Sequence, residues 1–245
     1  GANRFAHAEI TRMDATFTRL FGWTKEAGHK AIMRFFNRFD MARNEQVQEQ
    51  IYRWFFDRLS VDFLILDVDS TVITRCGQQQ GATKCYNPGK PGRNSHHPLL
   101  AFIAESRRVA NFWLRPGNTN SSNNILEFLE STLRHLGNKT VGLLRADSGF
   151  FDDAVMKFLG GKSIAYIISA RLTQPLQQAI VSRCKFWIIE PDLEVGEISY
   201  QAQGWTQARR IVVVRQSIKV RAQAPEDLAY LPMTQRYRAG VTGQW

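Results

Sequence analysis

Leu64-Ile65-Leu66-Asp67-Val68-Asp69-Ser70-Thr71 is the stretch that decides the fold. An apolar run ends in two carboxylates one residue apart and then turns polar. A buried strand delivers an acid to a sheet edge in this way. Val141-Gly142-Leu143-Leu144-Arg145-Ala146-Asp147-Ser148-Gly149 repeats the event 78 residues later, counted from Asp69 to Asp147. Divalent ions need hard oxygen ligands on rigid supports, and strand ends supply that rigidity. Two strand-end acids therefore suggest metal-assisted phosphoryl chemistry, with Asp69 and Asp147 as ligands. Asp67 shares a strand face with Asp69 and is a further candidate ligand or supporting group. Arg145 shares a face with Asp147 and offsets carboxylate charge there.

Working outward, residues 61–69 read as the first strand. A loop rich in Gly, Pro and Asn follows from Gly77 to Pro98. Leu99–Glu105 and Val109–Leu114 read as two strands joined by the short turn Ser106-Arg107-Arg108, which is hairpin geometry. The first three strands are thus antiparallel neighbours. Ser121 or Ser122 can cap a helix whose apolar face carries Ile125, Leu126, Leu129 and Leu133. A strand over 141–146, a helix near 151–159, a strand over 163–169 and a helix over 174–182 come next. After Arg183 the pattern changes to short β segments at 184–190, 195–202 and 208–221. Residues 5–59 read as helices. Thr24 is a plausible N-cap for 25–39, and Ile32, Phe35, Phe36, Phe39, Val47, Ile51, Trp54 and Phe55 recur at the helical spacing of core positions.

Three divisions follow: a helical segment over 1–60, a catalytic core over 61–183, and a β-rich part over 184–245. The 245 residues carry a net charge of +10, with a pI near 9.8. Such a charge favours polyanionic partners. Arg209, Arg210, Arg215, Lys219 and Arg221 fall in a window with no acidic residue, beside Trp205. That combination suits phosphate contact and base stacking. Lys84, Lys90 and Arg93 in the loop after the acid strand are further candidates for touching DNA. A solvated strand face is the competing reading of the first group. His96-His97 with Cys76 and Cys85 matches no common zinc spacing. The odd cysteine count reads as free thiols, and no apolar run reaches the roughly 18 residues of a membrane span. With no visible signal peptide, a cytoplasmic location is the expectation. Both ends read as cut, since Gly1 precedes the first helix without a Met and nothing closes the fold after Gly240.

Asp69-Ser70-Thr71 and Asp147, placed on this strand order with Arg115-Pro116-Gly117-Asn118-Thr119 before the helix, resemble the first two acids of DDE transposases of bacterial insertion sequences. The resemblance covers roughly residues 61–220. It implies a mixed α/β, ribonuclease-H-like core with three antiparallel and two further parallel strands, interrupted by a β-rich insertion. It implies two Mg²⁺ or Mn²⁺ ions, hydrolysis and strand transfer at transposon ends, double-stranded DNA as partner, a homodimer on that DNA, and a bacterial, nucleoid-associated location. The family's third acid is a Glu in a Tyr…Arg…Glu…Lys context on a helix. Here no acid follows Tyr237-Arg238, and Glu226, which precedes it, is a poor substitute, so the third acid is unassigned and the chain reads as a fragment that is catalytically weak or inactive, with an incomplete metal site.

Two other readings stay open at this point. Asp67-Val68-Asp69-Ser70-Thr71 also matches the Asp-x-Asp-x-Thr of haloacid-dehalogenase-type phosphatases, with Asp67 as nucleophile and Asp152 and Asp153 imitating the last metal motif. The tight 99–114 hairpin argues against that parallel fold. A DNA-binding protein with a relic acid site is the other.

Overall fold

The computed structural model describes residues 4–76, 79–84, 87, 89–217 and 235–242; for Met41, Ala42, Ser217 and 235–242 it describes the backbone alone. The chain divides into two compact units, Gly1–Phe55 and Phe56–Trp245.

The first unit is helical: α1 (Ala8–Arg12), α2 (Ala15–Leu20), α3 (His29–Phe36) and most of α4 (Met41–Phe56). The N-cap of α3 is Gly28 rather than Thr24. Glu9 supplies the missing cap from α1. Its carboxylate accepts from the His29 backbone N–H and from His29 Nδ1, each at 2.7 Å, and from Arg12 at 3.0 Å. Those bonds lower Glu9 to about 2, the His29 backbone bond contributing most. The aromatic residues read as core are not buried. Phe35, Phe36, Ile51 and Trp54 each expose more than half of their surface, and no described residue of this unit is buried. Helical spacing marks an apolar stripe, but short helices with few packing partners leave it open to solvent.

The second unit is built on one mixed sheet. Its strands are β1 (Phe63–Ser70), β5 (Leu99–Ile103), β6 (Arg108–Trp113), β7 (Thr140–Ala146), β8 (Ala165–Ser169), β9 (Lys185–Glu190), β10 (Leu193–Tyr200), β11 (Arg209–Ser217) and β12 (Gln235–Thr242). The order across the sheet is β6-β5-β1-β7-β8-β12-β11-β10-β9. Strands β1, β5 and β6 are antiparallel neighbours, whereas β1, β7 and β8 are parallel. Helices α5 (Ile125–Leu136), α6 (Asp153–Gly161) and α7 (Gln174–Arg183) follow β6, β7 and β8. This is the ribonuclease-H-like arrangement expected from the sequence.

Alternation explains β1. Leu64, Leu66 and Val68 face the core and are almost fully buried, each stabilising by roughly 1.5–3 kcal/mol. Asp67 and Asp69 occupy the opposite face. Helix α5 is fixed to β6 by buried Asn111, which donates to Thr132 Oγ1 at 3.0 Å and Ser131 Oγ at 3.3 Å. Asn124, at φ 55°, is the N-cap of α5; neither Ser121 nor Ser122 fills that place.

Two features were not visible in the sequence pattern. The β-rich part continues the core sheet, because β12 pairs antiparallel with β8. Tyr237 and Arg238 lie on β12, opposite Arg215 and Val214. The Gly- and Pro-rich loop also holds a small second sheet, β2 (Ile73–Thr74), β3 (Thr83–Lys84) and β4 (Asn94–His96), in the order β2-β4-β3.

Candidate active site

Parallel pairing brings the two acids together. Val68 lies beside Ala146 in the β1–β7 register, so Asp69 and Asp147 are the next residues out on adjacent strand ends. Both are exposed. Each carboxylate is oriented by the backbone. Asp69 Oδ1 accepts from the Ser70 N–H at 2.7 Å, and Asp147 Oδ1 from the Gly149 N–H at 2.8 Å. The second bond caps a 3-10 turn, Ser148–Phe150. Ser70 Oγ, beside Asp69, is buried with no hydrogen-bond partner among the described residues. Two hard carboxylates at rigid strand ends fit a divalent cation of the Mg²⁺ or Mn²⁺ type. Among the described residues no group of three or more His, Cys, Asp or Glu gathers as a metal site. A complete ligand set therefore needs a donor beyond these two.

Asp67 is placed differently. It lies directly opposite Arg145 across β1 and β7, and Arg145 Nε and Nη2 donate to its two oxygens at 2.6 and 2.7 Å. That bidentate bond from Asp67 raises the Arg145 guanidinium further above its usual value. Both oxygens of Asp67 accept from Arg145, so here it is engaged as a supporting group that ties β1 to β7. Arg145 accordingly neutralises Asp67.

Three residues near the acids were missed in the sequence reading. Ser121, read as a helix cap, packs against Gly149. A Cβ on Gly149 would lie 2.9 Å from Ser121 Oγ and 3.0 Å from Asp147 Oδ1. Arg171, after β8, donates to the Ser148 carbonyl at 3.3 Å. Gly149→Ala is expected to push Asp147 off its N–H anchor, destabilising by about 1–3 kcal/mol and weakening Mn²⁺ binding in a relaxation titration. Unchanged metal affinity would count against the placement of Asp147.

The basic window on β11 is engaged by acids of neighbouring elements. Arg209 is buried; it donates to Asp153 Oδ1 at 3.0 Å and to the Tyr166 hydroxyl at 3.2 Å. Asp153 also accepts from the Thr206 N–H and hydroxyl. Burial pushes the Asp153 carboxyl up, but the bonds from Arg209 and Thr206 outweigh it and hold it below its ordinary value. Arg210 pairs with Glu197, and Arg215 pairs with Glu194 and lies 4.0 Å over the Phe186 ring. Both glutamates are held low, by the hydrogen bonds from these arginines first. The neutralising acids come from β10: Glu194 faces Arg215 across the ladder, and Glu197 is diagonal to Arg210. Trp205 packs edge-on against Phe151 and Tyr200 at 5.1 and 6.0 Å. These four residues consolidate the sheet and offer no bare cationic stripe. Lys219 and Arg221 lie outside the described residues, as do Cys85 and Glu226. Lys84, Lys90 and Arg93 are exposed.

The phosphatase reading fails on topology. Strand β5 pairs antiparallel with both β1 and β6, not through crossovers. Its nucleophile, Asp67, is clamped by Arg145. Asp152 caps α6 through Ala154 N–H, and Asp153 holds Arg209. The zinc reading also finds no support, since His96 bonds Arg75 and the Gln80 carbonyl while His97 bonds the Thr119 carbonyl.

The mixed sheet thus carries Asp69 and Asp147 at the ends of its first and fourth core strands, the arrangement of a DDE-type domain. Within that class, the chain belongs to the transposase DDE domain group 1 family, which matches it over residues 1–226. Among solved structures it is similar to a piggyBac transposase synaptic complex with hairpin DNA, at 13% identity over 91% of this chain and 52% of that one, with a TM-score of 0.41. A Mos1 mariner paired-end complex with Mn is similar at 13% identity over 66% of this chain and 56% of that one, with a TM-score of 0.31. A Mos1 complex with the left transposon end gives 14%, 66%, 56% and 0.30. The chain spans about half the length of these proteins. No curated protein matches the sequence. Among the described residues no helix is long and apolar enough to cross a membrane.

Proposed function

We propose that the chain carries the catalytic core of a DNA transposase, which cleaves and joins phosphodiesters at transposon ends. The observation that supports it is the delivery of Asp69 and Asp147 to adjacent ends of the parallel strands β1 and β7. Asp69 and Asp147 hold Mg²⁺ or Mn²⁺. Two such ions, when bound, activate an attacking oxygen and stabilise a leaving one. The chain's own contribution is placement. Ser70 and Gly149 N–H groups fix one oxygen of each acid, and the Arg145–Asp67 pair holds the two strands in register behind them. A third carboxylate, expected to be a Glu, completes the set and is not assigned here.

The partner in this reading is double-stranded DNA, at transposon ends and target, with the protein acting as a homodimer in a bacterial cytoplasm at the nucleoid. Residues 61–183 are the catalytic core, with 1–60 and 184–245 as accessory parts. Crystals soaked in Mn²⁺ test the assignment by anomalous scattering. A peak at the Asp69 and Asp147 carboxylates is the expected result. A peak at Asp67 joined by Asp152 or Asp153 would overturn it.

A further inference from the structure

We infer that the small sheet β2-β4-β3 is a DNA-binding arm, whose cationic end grips the phosphate backbone of the DNA on which the acid site acts. The inference rests on the reading of the chain as a DNA-acting core. Of the two basic groups that the sequence offers, it places the contacts on the arm and not on β11.

The arm is a built element. It begins three residues after Ser70, so β1 carries it directly from Asp69. Ser95 pairs with both Thr74 and Thr83, and Lys84 pairs with Asn94. Lys90-Pro91-Gly92-Arg93 forms a tight turn. The Arg93 N–H donates to the Lys90 carbonyl at 3.3 Å, and Gly92 sits at φ 75°. Pro at the second position and a left-handed Gly at the third are the signature of a type II turn, which brings its first and fourth residues within about 7 Å. Buried Asn87 fixes the turn further, accepting from the Lys90 N–H at 2.9 Å and donating to Thr74 Oγ1 at 2.8 Å. Arg93 precedes Asn94, the ladder partner of Lys84. The fold thus gathers Lys84, Lys90 and Arg93 at one end of the arm.

The other end is anchored. His96 bridges to Pro116, Thr83 Oγ1 accepts from the Asn118 N–H at 2.9 Å, and Arg115 holds the carbonyl of His97. The same 115–124 segment carries Ser121 against Gly149, beside Asp147. The arm is therefore tied to both strand ends that bear the acids.

Charge decides between arm and strand. Arg209, Arg210 and Arg215 are matched by Asp153, Glu197 and Glu194. Lys84, Lys90 and Arg93 have no carboxylate partner among the described residues, and the sequence holds no Asp or Glu from Ser70 to Ala104. Unmatched, exposed cations on a fixed support suit phosphates, whose neutralisation releases counterions.

The test compares the whole chain with the triple variant Lys84→Gln/Lys90→Gln/Arg93→Gln and with Arg210→Gln/Arg215→Gln. Affinity for a fluorescent DNA duplex is measured in EDTA across a salt series. Each lost phosphate contact lowers the log–log salt slope by about 0.9. The triple variant is expected to lose about 2.7 of slope with its thermal midpoint unchanged, and the β11 pair to keep the parent's slope. A triple variant with the parent's slope overturns the arm assignment and leaves the catalytic reading intact. A slope lost with the β11 pair instead also overturns it. A parent chain without affinity for duplex DNA overturns both readings.

Discussion

In a version of the protein that carries the third carboxylate, Asp147→Asn is expected to abolish saturable Mn²⁺ binding and to lower metal-dependent DNA nicking by about 10³-fold or more, with DNA affinity in EDTA unchanged within about twofold. Metal-borne charge stabilisation is worth several kcal/mol, and each 1.36 kcal/mol is a factor of ten. The substitution separates chemistry from folding. Asn accepts a capping hydrogen bond as well as Asp does, so the Gly149 N–H anchor and the 3-10 turn survive. What disappears is the anionic, hard oxygen donor. Asp69→Asn is expected to behave alike. Asp67→Asn acts only through Arg145 and should leave most of the metal affinity in place. Water-proton relaxation and a labelled-duplex nicking assay read these effects. Nicking and Mn²⁺ affinity near the parent's in Asp147→Asn would sink the assignment of the site.

Arg115→Met is expected to cost about 3–5 kcal/mol in urea unfolding, the largest stability effect of any single change considered. Its guanidinium is buried and donates to three backbone carbonyls: His97 at 3.0 Å, Asn120 at 2.9 Å and Asn123 at 2.6 Å. Burial lowers its pKa to about 10, so it stays charged at neutral pH. Removing it takes the donor from three backbone carbonyls at once, two of them on the exposed residues Asn120 and Asn123, and each lost bond costs about 1–1.5 kcal/mol. A point-charge ammonium cannot span the three acceptors, so Arg115→Lys should recover less than half of the loss. These carbonyls lie where the arm, the start of α5 and the Ser121 contact meet, so the DNA salt slope should fall as well. A variant within about 1 kcal/mol of the parent would show that the contacts are dispensable.

Much of the core was legible in the chain itself. The alternation of Leu64, Leu66 and Val68 against Asp67 and Asp69 follows from the period of a strand. The tight Ser106-Arg107-Arg108 connection leaves no room for a crossover, which makes β5 and β6 antiparallel. The acid partners of the β11 arginines were not legible, for an equally physical reason. Their window lacks acids in sequence, yet an antiparallel neighbour supplies Glu194 and Glu197 across the ladder, and Asp153 reaches Arg209 from α6. Local composition carries no record of cross-strand partners. The same blindness affects Phe35, Phe36, Ile51 and Trp54, where periodicity marks a stripe but not what covers it.

The loop after β1 shows the limit from the other side. Its Gly, Pro and Asn content announced turns and nothing more regular. In the fold those residues make a type II turn and a ladder that collect three cations. The sequence by itself determined the strand that ends in Asp69, the second that ends in Asp147, and the hairpin between them, because period and turn length are local properties. Only the tertiary structure decided that the two acids are neighbours, that Asp67 belongs to Arg145, and which of the basic residues remain unmatched. Those facts depend on strand register and cross-strand pairing, and contacts between residues far apart in the chain exist only once it has folded.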